Sequence, residues 1–159
     1  MSKHQTTVII ASYADQKTAE ADWEAVEQTA KNGNYLADSA VVVREDDGTP
    51  KLVDRQSRHG WGKGAIAGAV VGVLFPPSIL LGAAVGAIAG AGIGRLHRSL
   101  GREKVKNLGD TLDKGSAAVI AVVDTSAVDA FKASLGHALE VHSEATGLTD
   151  DELQAPSAG

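Results

Sequence analysis

The residues of this chain best suited to chemistry are its five histidines: His4, His59, His97, His137 and His142. No two stand four positions apart, the spacing that puts two imidazoles on one helix face to grip a metal. His137 and His142 lie five apart across an expected helix-to-strand junction and read as solvated surface residues. His59 and His97 flank a glycine-rich stretch and could meet in a pH-sensitive basic patch. The chain has no cysteine, which excludes disulfides, thiolate zinc sites and cysteine nucleophiles. Gly60-Trp61-Gly62-Lys63-Gly64 has the look of a phosphate loop, yet it lacks Walker spacing and no Ser or Thr follows Lys63. It reads as a flexible lead into a helix. Asp46-Asp47-Gly48 reads as a hairpin turn, and Asp150-Asp151-Glu152 as a solvated tail or a partner-binding peptide. No nucleophile with a base and an orienting group is visible. The expectation is a non-enzymatic protein with no catalytic residue, no metal and no cofactor.

What the sequence offers instead is packing equipment. Between Gly64 and Gly94 lie 31 residues without a charge, about half of them Gly or Ala. Gly64, Gly68 and Gly72 recur every four residues, as do Gly82, Gly86, Gly90 and Gly94. On a helix each series forms a groove without side chains, and such grooves let two backbones approach closely. Pro76-Pro77 cannot sit inside a helix, so the block predicts two helices, near Lys63–Phe75 and Ser78–His97, in a hairpin insertion over 61–98. At 1.5 Å per residue the first is about 20 Å long, too short for a hydrocarbon core of about 30 Å. Two independent membrane spans are therefore set aside. The hairpin either associates with other copies of the chain, dips into a membrane from one side, or folds onto its own sheet.

Around the insertion the pattern alternates strands and helices. Thr6 to Tyr13 is a β-branched apolar strand, followed by a helix over Gln16–Lys31 with Ala19, Trp23, Val26 and Ala30 on one stripe. Asp15 can cap it, and Asn32-Gly33-Asn34 can end it. Leu36–Arg44 is a second strand and Pro50–Gln56 a short third, polar enough for a sheet edge. Glu103–Leu112 has helical spacing, and Ser116–Val123 is a continuous apolar run suited to a buried central strand. A helix over Ser126–Ala138 and a strand over Leu139–Ala145 complete the pattern before an acidic tail over 148–159. The first six elements predict a ferredoxin-like βαββαβ sheet of the α+β class with helices on one face. The last αβ unit is then an extension of a single domain over 1–147.

Charge is unevenly placed. Lys51, Arg55, Arg58 and Lys63 precede the glycine block, and Arg95, Arg98, Arg102, Lys104 and Lys106 follow it. The net charge is −5, so the remainder is strongly acidic. The basic clusters lack interleaved aromatics apart from Trp61, which argues against nucleic acid as a partner. They suit anionic lipid headgroups instead, with Lys63, Arg95, Arg98 and Arg102 as the contacts. The apolar run at the N-terminus is too short for a secretory signal. The expected location is the cytoplasm, with association at the inner face of the cell membrane as the alternative.

Three segments carry a family resemblance: Ala40-Val41-Val42-Val43 with Asp46-Asp47-Gly48, the glycine block, and LGDTLDKGSAAVIAVV from Leu108 to Val123. With them the chain resembles, over about residues 7–154, the bacterial domain of unknown function 1269, often labelled a predicted membrane protein. The resemblance implies no activity, cofactor or catalytic residue. The functional expectation is a homo-oligomerising structural protein assembled through the seven glycines of the hairpin. A peripheral or re-entrant membrane protein is the alternative, and a small-ligand sensor using an open sheet face is the third.

Overall fold

The computed structural model describes residues 4–45, 50–56, 70, 74 and 90–154. Strand β1 (Gln5–Tyr13) leads into helix α1 (Gln16–Lys31), whose N-cap is Asp15: its carboxylate accepts from the Thr18 backbone N–H at 2.8 Å. That bond satisfies one of the orphan donors of the first turn. Gly33, at a φ of 104°, turns the chain out of the helix, a conformation that glycine adopts without a Cβ penalty. Strands β2 (Leu36–Arg44) and β3 (Pro50–Gln56) follow with the boundaries that the sequence predicts. The expected turn at Asp46-Asp47-Gly48 lies outside the described residues.

Helix α2 (Gly90–Leu112) is interrupted at Gly101, where φ is 81° and ψ 164°. The break separates the end of the expected second hairpin helix from the expected Glu103–Leu112 helix. Strand β4 (Ala117–Asp124), a 3-10 turn (Thr125–Ala127), helix α3 (Val128–Ala133), strand β5 (Glu140–Thr149) and a short helix α4 (Asp150–Gln154) complete the order. Helix α3 stops well short of the expected Ala138. Past Phe131 the chain tightens into a turn at Leu135, and the His137 backbone N–H is drawn off to the Asp22 carboxylate at 2.9 Å.

The five strands among the described residues form one antiparallel sheet in the order β3-β2-β4-β1-β5. β4 is the centre, as its unbroken apolar run requires, with Ala117 through Val123 all buried. β1 and β2 both run antiparallel to β4 and hence parallel to each other. β4 and β5 are related in the same way through β1.

The expectation of helices on one face is corrected. One face carries α1 and α3, packed on Ile9, Ala11, Val41, Val119, Ala121 and Val123. The opposite face carries α2 and α4, packed on Val8, Ile10, Val42, Ile120 and Val122. The reason lies in the strands themselves. Both alternating sets of β1 and β4 are apolar, so both faces must be covered. The open sheet face on which a ligand was expected is therefore filled. Leu96, Leu100, Leu108 and Leu112 of α2 are buried against it, each contributing on the order of 1.5–3 kcal/mol. Val70 is buried in the same cluster and Leu74 packs against it, so the first half of the glycine-rich block joins this core at these two residues. The solvated tail is corrected too: Asp150 and Leu153 are buried, and α4 packs beneath α2.

Candidate self-association and headgroup-contact surface

Helix α2 sorts its residues by face. With 3.6 residues per turn, successive positions advance about 100° around the axis. The leucine stripe begins at Leu96, which faces the sheet. Gly94 then falls roughly 160° around the helix from Leu96, on the side turned away from the sheet, and Gly90 falls on the flank, about 120° from Leu96 and about 80° from Leu100. Of the seven glycines expected to mediate self-association, these two lie within the described helix. Gly64, Gly68, Gly72, Gly82 and Gly86 lie outside the described residues.

The headgroup contacts divide similarly. Arg98 and Arg102 are exposed. Lys106, four positions on, is exposed as well and pairs with Asp110 at 3.2 Å. Arg95 belongs to the same helix, and Lys63, Trp61 and His59 lie outside the described residues. Gly94 and the exposed Arg98 thus share the outer side of one element, above the leucines that fix its rotation.

Three polar clusters escaped the sequence reading. In the first, the buried Asp22 accepts from the Tyr13 hydroxyl at 2.8 Å and from the His137 backbone N–H, while its other oxygen lies 2.7 Å from His137 Nδ1. This ties β1, α1 and the loop after α3 together. Burial first, then the bond to Asp22 and its charge, push the Tyr13 hydroxyl above its usual range. A carboxylate behind Nδ1 is the wiring of a general base, but the imidazole stands in open solvent with three-quarters of its side-chain surface exposed. The cluster acts as a clasp.

The second cluster joins the ends of the chain. The His4 ring stacks on Tyr35 at 3.7 Å, and its Nδ1 lies 2.5 Å from Asp124. The buried Asp150 accepts from the His4 backbone N–H at 3.0 Å and the Tyr35 hydroxyl at 2.5 Å. Partial burial opposes ionisation of Asp124, but bonds from Ser126 and His4 outweigh it and hold the carboxyl below its usual range. The third cluster lies on β5, where His142 Nε2 meets Glu144 at 2.6 Å and Thr111 donates to Glu140 at 2.8 Å. His142 is therefore not simply solvated.

No local signal marks the first two clusters, because Asp22 and His137 are 115 residues apart and His4 and Asp150 are 146 apart. Among the described residues no three His, Cys, Asp or Glu side chains are placed to hold a metal. A cavity lined by Val42, Arg44, Leu112 and Gly115–Ala118 has about 10 Å³, room for one water.

The segment that contains α2, β4, α3, β5 and α4 is also the segment that known sequences recognise. The family described as "Protein of unknown function (DUF1269)" matches residues 62–155, more than half of the chain. The chain belongs to the DUF1269 family. No curated protein and no solved structure matches it. The match runs from the glycine block into α4, so the buried Asp150 and Leu153 lie inside the DUF1269 region. Among the described residues no helix is long and apolar enough to cross a membrane, and the membrane label attached to the resemblance finds no support in them.

Proposed function

We propose that this DUF1269 protein is a non-enzymatic structural protein that assembles into homo-oligomers through the glycine-rich hairpin. The reading rests on one feature: by helical geometry Gly94 falls on the side of α2 turned away from the leucines that hold it to the sheet, with Gly90 one turn earlier on the flank. A groove without side chains gains nothing in solvent, and close backbone approach by another helix is the interaction it suits. Gly64, Gly68, Gly72, Gly82 and Gly86 continue the same spacing in the sequence. The rigid platform behind the groove is a ferredoxin-like core in this reading. Its support is the pair of split units β1-α1-β2 and β4-α3-β5, each with a parallel strand pair around a third strand and both helices on one face. β3 is then an added edge strand.

Gly94→Leu is expected to lower the mass measured by light scattering to that of a smaller species, with the far-UV circular dichroism unchanged. An unchanged mass sinks the proposal.

The exposed Arg98 and Arg102 favour a second reading, a peripheral protein of the cytoplasmic membrane face with the hairpin against anionic lipid. In that case detergent-free protein floats with vesicles containing phosphatidylglycerol, and salt weakens the flotation without abolishing it. Protein that stays at the bottom of the gradient excludes the lipid reading and leaves self-association.

A further inference from the structure

We propose that β5 pairs, antiparallel, with β5 of a second copy about a two-fold axis through Ser143, extending the sheet across the dimer. Among the described residues β5 is the outermost strand of the sheet, beside β1. Its ladder with β1 is regular from Glu140 to Ala145, after which the register shifts by a bulge and Gly147 takes a φ of 76°. The edge that can accept another strand is therefore one short, straight segment, 140–145.

Pleat and charge together select the register. Glu140, His142 and Glu144 share the α2 face, and Val141 packs on the opposite one with Ser143 and Ala145. A two-fold axis perpendicular to the sheet keeps each face continuous, so only registers centred on a residue are allowed. Centring on His142 sets Glu140 against the second copy's Glu144, and centring on Glu144 sets that carboxylate against itself. Directly opposed like charges are destabilising. Centring on Val141 pairs only 140–142 before β5 ends.

Centring on Ser143 pairs 141–145 in full. It sets His142 of each copy against Glu144 of the other and Val141 against Ala145, the larger side chain facing the smaller. In its own chain His142 uses Nε2 to reach Glu144, and among the described residues its Nδ1 has no bond. That nitrogen can serve the second copy's carboxylate, joining two His–Glu pairs into one alternating cluster of four. This contact lies on the sheet edge and needs no glycine of α2. A chain with two separate self-contacts can link dimers into larger assemblies.

The absence of cysteine makes the test direct. Ser143→Cys in the full chain sets two thiols on Cβ atoms about 5 Å apart across the axis, close enough to bridge after a small adjustment. Mild oxidation is expected to give a disulfide-linked dimer at least tenfold faster than Ala145→Cys, whose opposite neighbour is Val141. Adding His142→Glu should slow the Ser143→Cys link about tenfold, and adding Glu144→His to that variant should restore it. Equal rates for Ser143→Cys and Ala145→Cys overturn the pairing, as does indifference to His142→Glu. Without any engineered cysteine, His142→Glu should also lower the mass by light scattering, and an unaltered mass counts against the pairing. Gly94→Leu separates the two contacts: if it lowers the mass while the Ser143→Cys link persists, both stand. If the mass is unchanged while the link forms, the β5 contact survives and the hairpin reading fails. A monomeric wild type with no link sinks both.

Discussion

Gly115→Ala is expected to cost about 3 kcal/mol or more, at the upper end for overpacking a well-packed site. A Cβ at Gly115 would lie 2.1 Å from the Tyr13 carbonyl oxygen and 2.8 Å from its carbon. Both are backbone atoms of the buried β1, which cannot rotate aside as a side chain would. Gly115 is not among the glycines with positive φ, so space and not backbone conformation demands the glycine. To admit the methyl group, β4 must part from β1 at the Tyr13–Ala117 pair and the Ser116 N–H must leave the Tyr13 oxygen, 3.1 Å away. Urea unfolding should show a lower midpoint with little change in slope. Gly109→Ala is the internal contrast. Its Cβ would meet nothing within 4 Å in the second half of α2, so helix propensity raises stability by up to about 1 kcal/mol. Equal effects at the two glycines would show that the close approach to Tyr13 is not what confines position 115 to glycine.

Asp22→Ala is expected to cost about 3 kcal/mol, because it strands the Tyr13 hydroxyl in a site with no solvent exposure. The His137 backbone N–H loses its acceptor at the same time. In a Tyr13→Phe background the same change should cost less by roughly 1–2 kcal/mol, the coupling of a contacting pair. Additive costs in a double-mutant cycle would remove the clasp from the account of stability.

The pH dependence has a definite sign. The folded state holds the Tyr13 proton above the usual value of 10.0, chiefly through burial. An unfolded tyrosine begins to release its proton near pH 10, so the stability is fully present below that pH and falls as pH rises above it. The slope approaches about 1.4 kcal/mol per pH unit for one group. Tyr13→Phe should flatten that alkaline limb in unfolding experiments between pH 9 and 11, and an unchanged slope would place the titrating group elsewhere.

Much of this architecture is legible residue by residue. Asp15 and Gly33 bracket α1, and the helical stripe of Ala19, Val26 and Ala30 is buried as spaced. Trp23 is only half-buried, and its indole N–H reaches the buried Ser39 hydroxyl at 3.0 Å. The run at Ala117–Val123 proved central, and Pro50–Gln56 lies at an edge. Helix α3 was less legible: Val128, Phe131 and Leu135 keep helical spacing, but a distant carboxylate draws off the chain beyond them. Of the candidate contact surface, spacing alone identified the glycines and arginines of α2. The face they occupy depended on which residues the sheet had already taken.

By itself the sequence determined β1 to β4 and α1 to within a residue at their ends, the absence of cysteine chemistry, and the glycine spacing that suits close helix contact. Those properties depend on neighbours within a few positions, where propensity, capping and periodicity act. Only the tertiary structure decided the strand order, the covering of both sheet faces, and the pairing of Asp22 with His137 and of Asp150 with His4 and Tyr35. Each of these joins residues far apart in the chain. Their association is settled by which apolar faces can be buried together and which polar groups then need a partner, and neither leaves a local pattern to read.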